Sequence, residues 1–287
     1  MSELILHHYP TSPFAEKARL LLGFKGLSWR DAGVAGGGGY LLRHGADCPS
    51  PGAGKGVADA VPRRSRDGRG NVRRLGRFGR LAVALVFQPE SAAVRFARFS
   101  PEQAKAFMAD RAGLFSGGSA TRVPLEEARH SWPTLMARLE QQLQREEGDF
   151  LFGEPSIADF SMAHILWFLK ATPVTSPLVD DYPAVSAWLG RVLGFGHGAS
   201  KDMTSEEAVQ VARDTVPAAL PEERFIDPNG FTVGQQVVIA ATDYGVDPVA
   251  GELVFVGSEE LILRREDERV GVVHVHFPRL GFRIEAS

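Results

Sequence analysis

From Phe14 to Leu22 the apolar residues Phe14, Ala18, Leu21 and Leu22 recur at helical spacing, and the run before them, Glu3 to Tyr9, reads as a strand. Between the two lies Pro10-Thr11-Ser12-Pro13, a helix start: a hydroxyl able to cap free N–H groups, then a proline at the first helical position. Gly23 to Gly26 close the helix. The chain therefore opens with a strand–loop–helix unit.

Helical periodicity returns beyond residue 100. Pro101 to Phe115 carries Ala104, Phe107, Met108 and Leu114 on one face, and Pro124 to Glu146 carries Leu125, Ala128, Trp132, Leu135, Leu139 and Leu143. Pro133 lies inside the second pattern and predicts a kink or a break. Ser156 with Asp159 has the form of a capping box, aspartate standing in for the usual glutamate. The helix it opens, through Leu169, is apolar nearly all round, which predicts the buried centre of a bundle. Pro183 to Leu193 carries Val185, Trp188, Leu189 and Val192, and Thr204 with Glu207 caps a further, more polar helix. Short connections predict an all-α bundle.

Pro217 to Pro228 is a proline- and charge-rich linker, after which the period changes to 2. Five short strands are predicted: Gln236–Ala241, Glu252–Val256, Leu261–Arg265, Gly271–Phe277 and Phe282–Glu285. Five strands in so short a segment predict a small barrel that closes its own edges.

Between the first helix and the bundle the pattern fails. From Asp31 to Leu85 there is no Glu, Ile, Thr or Met, and neither period survives for more than a few residues. Gly and Arg dominate, in runs such as Gly36-Gly37-Gly38-Gly39 and Arg63-Arg64-Ser65-Arg66. The formal net charge of −3 hides this basic window inside an acidic remainder. A single cysteine, Cys48, excludes an intrachain disulfide framework and fits a reducing compartment. Met1-Ser2-Glu3-Leu4 carries no secretory signal, and no stretch is apolar enough to span a bilayer, so a cytoplasmic protein without a membrane partner is expected.

Tyr9-Pro10-Thr11-Ser12-Pro13-Phe14-Ala15-Glu16-Lys17-Ala18-Arg19, then Gly153-Glu154-Pro155-Ser156-Ile157-Ala158-Asp159-Phe160, then Tyr182-Pro183 through Trp188, together resemble the glutathione S-transferase family, in its bacterial type with serine at the catalytic position. The likeness covers residues 1–30 and roughly 87–215; the C-terminal β segment looks like an appended domain. It implies a multidomain α+β protein. A thioredoxin-like domain, disrupted as written, spans 1–86; an all-α domain spans 87–216; a linker of 217–228 leads to a small β-barrel at 229–287.

The resemblance implies transfer of glutathione thiolate to a small electrophile, with glutathione as co-substrate, no metal, and dimers common among members. Ser12 would stabilise the thiolate while also capping the helix, because a hydroxyl at a helix N-terminus sits in the positive end of the dipole. Tyr9, Thr11 and Phe14 join Ser12 as glutathione-binding positions, and Phe107 and Trp132 are candidates for the acceptor pocket. Ser156 and Asp159 are structural caps.

The family also requires a cis-proline before a strand, to pair with the glutathione peptide, and no such motif exists in residues 31–85 as written. The activity is therefore expected to be impaired. The loss has one economical reading. Back-translated with GC-rich codons and read one base later, residues 32–44 permit PVLQVGADIYCDT, and the continuation from that threonine through Gly56 permits TALIARALEREKG. That is the missing proline–strand–turn–helix order, so the window reads as an out-of-frame translation, which the nucleotide sequence across codons 28–90 decides. A disordered Gly/Arg linker is the alternative for the window.

Other readings are weaker in chemistry. A phosphate loop at Gly54-Lys55-Gly56 lacks the first glycine and the Ser/Thr. Arg63 to Arg80 lacks aromatic interleaving and a recognised binding fold, so no nucleic-acid partner is expected. His274 and His276 share a strand face without a third ligand, which leaves them ordinary strand histidines. His7 and His8 point to opposite faces of their strand, and His164 reads as a hydrogen-bonded core histidine. A different class of function stays open: a non-catalytic binding or scaffolding protein working through the helical bundle and the β segment.

Overall fold

The structure, a computed structural model, describes residues 4–33, 41–43, 78–97 and 99–287. The predicted opening unit is present: β1 (Leu4–His8), α1 (Pro13–Phe24) and then β2 (Ser28–Gly33), parallel to β1 from Leu4 opposite Trp29 to His8 opposite Gly33. β3 (Leu41–Arg43) joins the free side of β1 antiparallel. A fourth strand comes from far downstream: β4 (Ala199–Asp202) lies parallel to β2, completing the order β3-β1-β2-β4. Ile5 and Ala32 of this sheet are covered by Met203 and Ala208, so α9 (Ser205–Asp214) packs on the N-terminal sheet rather than in the helical bundle expected for it. Its cap is as predicted, with Thr204 N donating to Glu207 Oε2 at 2.7 Å and Glu207 N to Thr204 Oγ1 at 3.1 Å.

Apart from β3, the middle of the anomalous window lies outside the described residues, and with it most of the shifted proline–strand–helix reading. Its ends do not. Residues 31–33 belong to β2, and residues 78–86 form a helix, α2, whose Phe78, Leu81, Ala82, Leu85 and Val86 are all buried. Those five positions are spaced at helical intervals, a signal that the surrounding Gly and Arg obscured.

The main core joins Leu20 of α1 and the α2 stripe to α5 (Leu125–Arg145), α6 (Ile157–Lys170) and α8 (Pro183–Leu193). α3 (Pro89–Arg95) and α4 (Pro101–Gly113) precede α5; the single turn α7 (Pro177–Asp180) precedes α8. α6 is the buried centre, as its composition predicts, and Val185, Trp188, Leu189 and Val192 of α8 are all buried. α5 runs on through Pro133 as one helix. α4 departs from its predicted apolar face: none of its residues is fully buried, and Met108 is 43% exposed.

The C-terminal strands appear where expected: β5 (Gln236–Ala241), β6 (Val249–Val256), β7 (Glu260–Asp267), β8 (Gly271–Pro278) and β9 (Phe282–Ala286). They form one antiparallel sheet in the order β8-β7-β6-β5-β9, and the predicted barrel is not closed, because no ladder joins β8 to β9. The sheet is nonetheless curled. Three residues, Arg279 to Gly281, link its two edge strands, a reach of about 15 Å between the flanking Cα atoms, whereas four flat strand spacings need about 19 Å. Phe277 and Phe282 meet across the curl at 5.5 Å between ring centroids.

Candidate functional site

The loop between β1 and α1 brings Ser12 to the helix N-terminus. Ser12 N donates to Tyr9 O at 3.0 Å, its backbone is extended (φ −73°, ψ 123°), and its Oγ accepts from Ala15 N at 3.3 Å. Pro13 follows at the first helical position, where its missing N–H costs nothing. Because Oγ accepts the capping bond, its own proton remains available to a ligand, so capping and ligand binding are compatible. Ser12 is 7% exposed.

Beneath this loop is a buried charged network that the sequence reading missed. Arg19 Nη2 donates to Pro10 O at 3.0 Å and to Glu16 Oε2 at 2.5 Å, Arg19 Nε reaches the same oxygen at 3.1 Å, and Nη1 donates to His8 Nδ1 at 3.0 Å. An arginine can only donate, so His8 carries its proton on Nε2, which stands 3.0 Å from Asp31 Oδ1 but off the line of a good hydrogen bond. Glu16 Oε1 lies 3.0 Å from His197 Nε2. His8, Glu16 and Arg19 are each at most 6% exposed. The Glu16–Arg19 spacing of three residues on a helix was legible; the partner His197 was not.

The other expected site residues separate into two groups. Tyr9 sits at the loop, its hydroxyl accepting from Arg111 Nη1 at 3.4 Å, while the Arg111 guanidinium lies 5.9 Å from the Tyr9 ring and 5.4 Å from the Phe107 ring. Phe14, 66% exposed, has its ring centroid 6.1 Å from His164 and 6.3 Å from Tyr244. Thr11 is exposed beside Ser12. Tyr9, Thr11, Ser12, Phe14 and, through Arg111, Phe107 thus belong to one region. Trp132 does not: it is 1% exposed, its ring lies tilted against Phe78 with centroids 4.7 Å apart, and its indole N–H donates to Leu178 O at 3.0 Å. The acceptor-pocket expectation for Trp132 is corrected to a core role, as its helical spacing with Ala128 and Leu139 also allows.

Ser156 and Asp159 act as caps. Asp159 Oδ2 accepts from Ser156 N and Ser156 Oγ, both at 2.8 Å, and Oδ1 accepts from Leu151 N at 2.9 Å and Trp188 Nε1 at 2.8 Å. Among the described residues no group of His, Cys, Asp or Glu is arranged to hold a metal, and no helix is long and apolar enough to cross a membrane. His276 instead pairs with Glu260 Oε2 at 3.0 Å.

His164 lies next to Phe14, buried on α6. Burial pushes its pKa down to about 4, although the bond from Nδ1–H to Phe160 O at 2.9 Å and nearby Glu16 act in the opposite direction. The folded protein therefore holds His164 neutral at pH values where an unfolded histidine, near 6.5, takes up a proton. Stability should fall as pH drops from about 6.5 toward 4, by up to roughly 3 kcal/mol from this residue. Urea midpoints measured from pH 7 to 4.5 should show this loss in the parent and a flatter profile in His164→Gln; parallel profiles refute it.

Residues 125–191 match the family described as glutathione S-transferase, C-terminal domain. Among solved structures, a GST-like protein from Pseudomonas syringae is 47% identical over 100% of both chains, with a TM-score of 0.73. Two others align at lower similarity. An apo glutathione S-transferase III is 20% identical over 67% of this chain and 92% of its own, TM-score 0.44. Glutathione transferase F7 from Populus trichocarpa is 16% identical over 66% of this chain and 93% of its own, TM-score 0.42. Curated protein sequences gave no match.

Proposed function

Because the chain belongs to the family of glutathione S-transferase-like proteins, we propose that it binds glutathione at the N-terminus of α1 and transfers the thiolate to a small electrophile. The observation that carries this reading is Ser12. Its Oγ is fixed by Ala15 N–H at the positive end of a twelve-residue helix, with its hydroxyl proton free to donate to a thiolate. Such a donor, aided by the helix dipole, lowers the thiol pKa and raises the nucleophile's concentration at neutral pH. In the transfer the thiolate sulfur forms a bond to the electrophilic carbon, and the leaving group departs with the electron pair of the bond that breaks.

The buried Arg19–Glu16 pair is a positioning element: through the Pro10 carbonyl it holds the loop that carries Tyr9 and Ser12. Tyr9 and Thr11 flank the glutathione end, and Phe14, a glutathione-binding position by the resemblance, is read instead on the acceptor side, because its ring lies beside His164 and Tyr244. A homodimer is part of the same proposal.

The test is glutathione-dependent conjugation of 1-chloro-2,4-dinitrobenzene. Ser12→Ala should lower kcat/KM by roughly a hundredfold or more, with the pH profile moving up toward an ordinary thiol pKa. Losing the cap costs only about 1 kcal/mol, so the variant stays folded. Unchanged turnover and an unchanged profile in Ser12→Ala would reduce Ser12 to a cap.

A further inference from the structure

The C-terminal sheet does not stand apart from this site. Residues 242–247, which follow β5, dock on the segment between α4 and α5 through three backbone hydrogen bonds. Ser119 N donates to Thr242 O at 3.0 Å, Ala120 N to Asp243 O at 3.0 Å, and Gly245 N to Leu114 O at 2.8 Å. The approach is so close that a Cβ at Gly118 would collide with the Asp243 carbonyl oxygen. A backbone ladder of this kind fixes where the loop's side chains point. Tyr244 is thereby held with its ring 5.0 Å from Phe115, edge to face, and 6.3 Å from Phe14, two residues beyond Ser12.

We propose that Tyr244 is a specificity-determining residue of the acceptor site, forming with Phe14 a slot for a planar, apolar electrophile beside Ser12. The inference rests on the reading of Ser12 given above. Three separate parts of the chain supply aromatic rings here: the first turn of α1, the turn after α4, and the loop after β5. Two rings holding a flat molecule between them stand roughly 7 Å apart, and Phe14 and Tyr244 are already 6.3 Å apart at an interplanar angle of 40°. Phe14 is 66% exposed and free to turn, so a small rotation opens the slot. His164, neutral at physiological pH, adds no charge beside Phe14. Arg111 lies at the edge, paired with Asp110 and against the Tyr9 ring. The appended sheet would thus close one side of the reaction site and set which acceptors fit.

The experiment measures the affinity of the full chain for 1-anilinonaphthalene-8-sulfonate and the KM for 1-chloro-2,4-dinitrobenzene. Tyr244→Ala should weaken both about tenfold or more, the equivalent of one lost aromatic contact, with the KM for glutathione unchanged. Tyr244→Phe keeps the ring and should stay within about threefold of the parent. Gly118→Ala, which pushes the loop away with Tyr244 intact, should reproduce the loss. The inference is overturned if the parent does not bind the dye, or if Tyr244→Ala and Gly118→Ala both bind it like the parent. Dye affinity that depends on Tyr244 in a parent that neither binds nor turns over glutathione overturns the Ser12 reading alone.

Discussion

Asp159→Ala is expected to lose on the order of 5 kcal/mol, comparable to the whole stability of many domains. The carboxylate is 0% exposed and accepts four hydrogen bonds from three separate pieces of chain: Ser156 at the start of α6, Leu151 in the preceding turn, and the Trp188 indole on α8. Hydrogen bonds to a charged acceptor are worth about 1.5–3 kcal/mol each, and each donor left buried without a partner adds about 1–3 kcal/mol. These terms are not additive, since one collapse leaves several donors stranded together. The side chain is also small, so little apolar burial is lost and the effect isolates the polar node.

A graded series separates this account from a general packing defect. Ser156→Ala removes one bond and should cost about 1 kcal/mol. Asp159→Asn keeps the shape but turns an NH₂ toward a donor pair, and should fall between, at roughly 2–3 kcal/mol. Urea unfolding followed by Trp fluorescence gives all three numbers. An Asp159→Ala variant within 1 kcal/mol of the parent would show that the four bonds do not act as a node.

What was readable in the chain was whatever repeats locally. Ser12-Pro13, the Ser156–Asp159 box, the α8 stripe and the five C-terminal strands are patterns within ten residues of sequence, and each appears in the structure. What was not readable was the choice of distant partner. β4 is Ala199-Ser200-Lys201-Asp202, exposed at every position, with no alternation to betray a strand. It forms because β2 offers an open edge, held by Ala199 N to Leu27 O at one end and Met203 N to Asp31 O at the other. α9 shows its cap and its two-sided character, yet nothing in those ten residues says that its apolar side meets Ile5 and Ala32. Closure of the C-terminal sheet is likewise a relation between strands and not a property of any one of them. Strand count alone suggests a barrel, and only the strand order, with β8 and β9 at opposite edges, shows that the sheet is open. Within the site, Ser12 was legible from its cap signal, whereas Tyr244 depends on a loop docking more than a hundred residues from its neighbours, and Trp132 on which side of α5 faces the core.

The buried charges under the Ser12 loop carry the second large effect. Glu16 is 2% exposed and is the carboxylate that pairs with the Arg19 guanidinium, itself 6% exposed. Glu16→Ala leaves that cation facing a neutral imidazole and the Pro10 carbonyl, and the expected loss is about 3–5 kcal/mol. Changing both partners removes the stranded charge, so the double variant Glu16→Ala with Arg19→Leu should lose clearly less than the sum of the two single changes, by more than 1 kcal/mol. The site responds along with the fold, because Arg19 also grips Pro10 O, two residues before Ser12. At temperatures where Glu16→Ala is still folded, glutathione turnover should fall while dye affinity at the Phe14–Tyr244 slot changes little. Reverse that order, with dye affinity lost first or the double cycle additive within about 0.5 kcal/mol, and the pair is a solvent-tolerant surface contact with no hold on the loop.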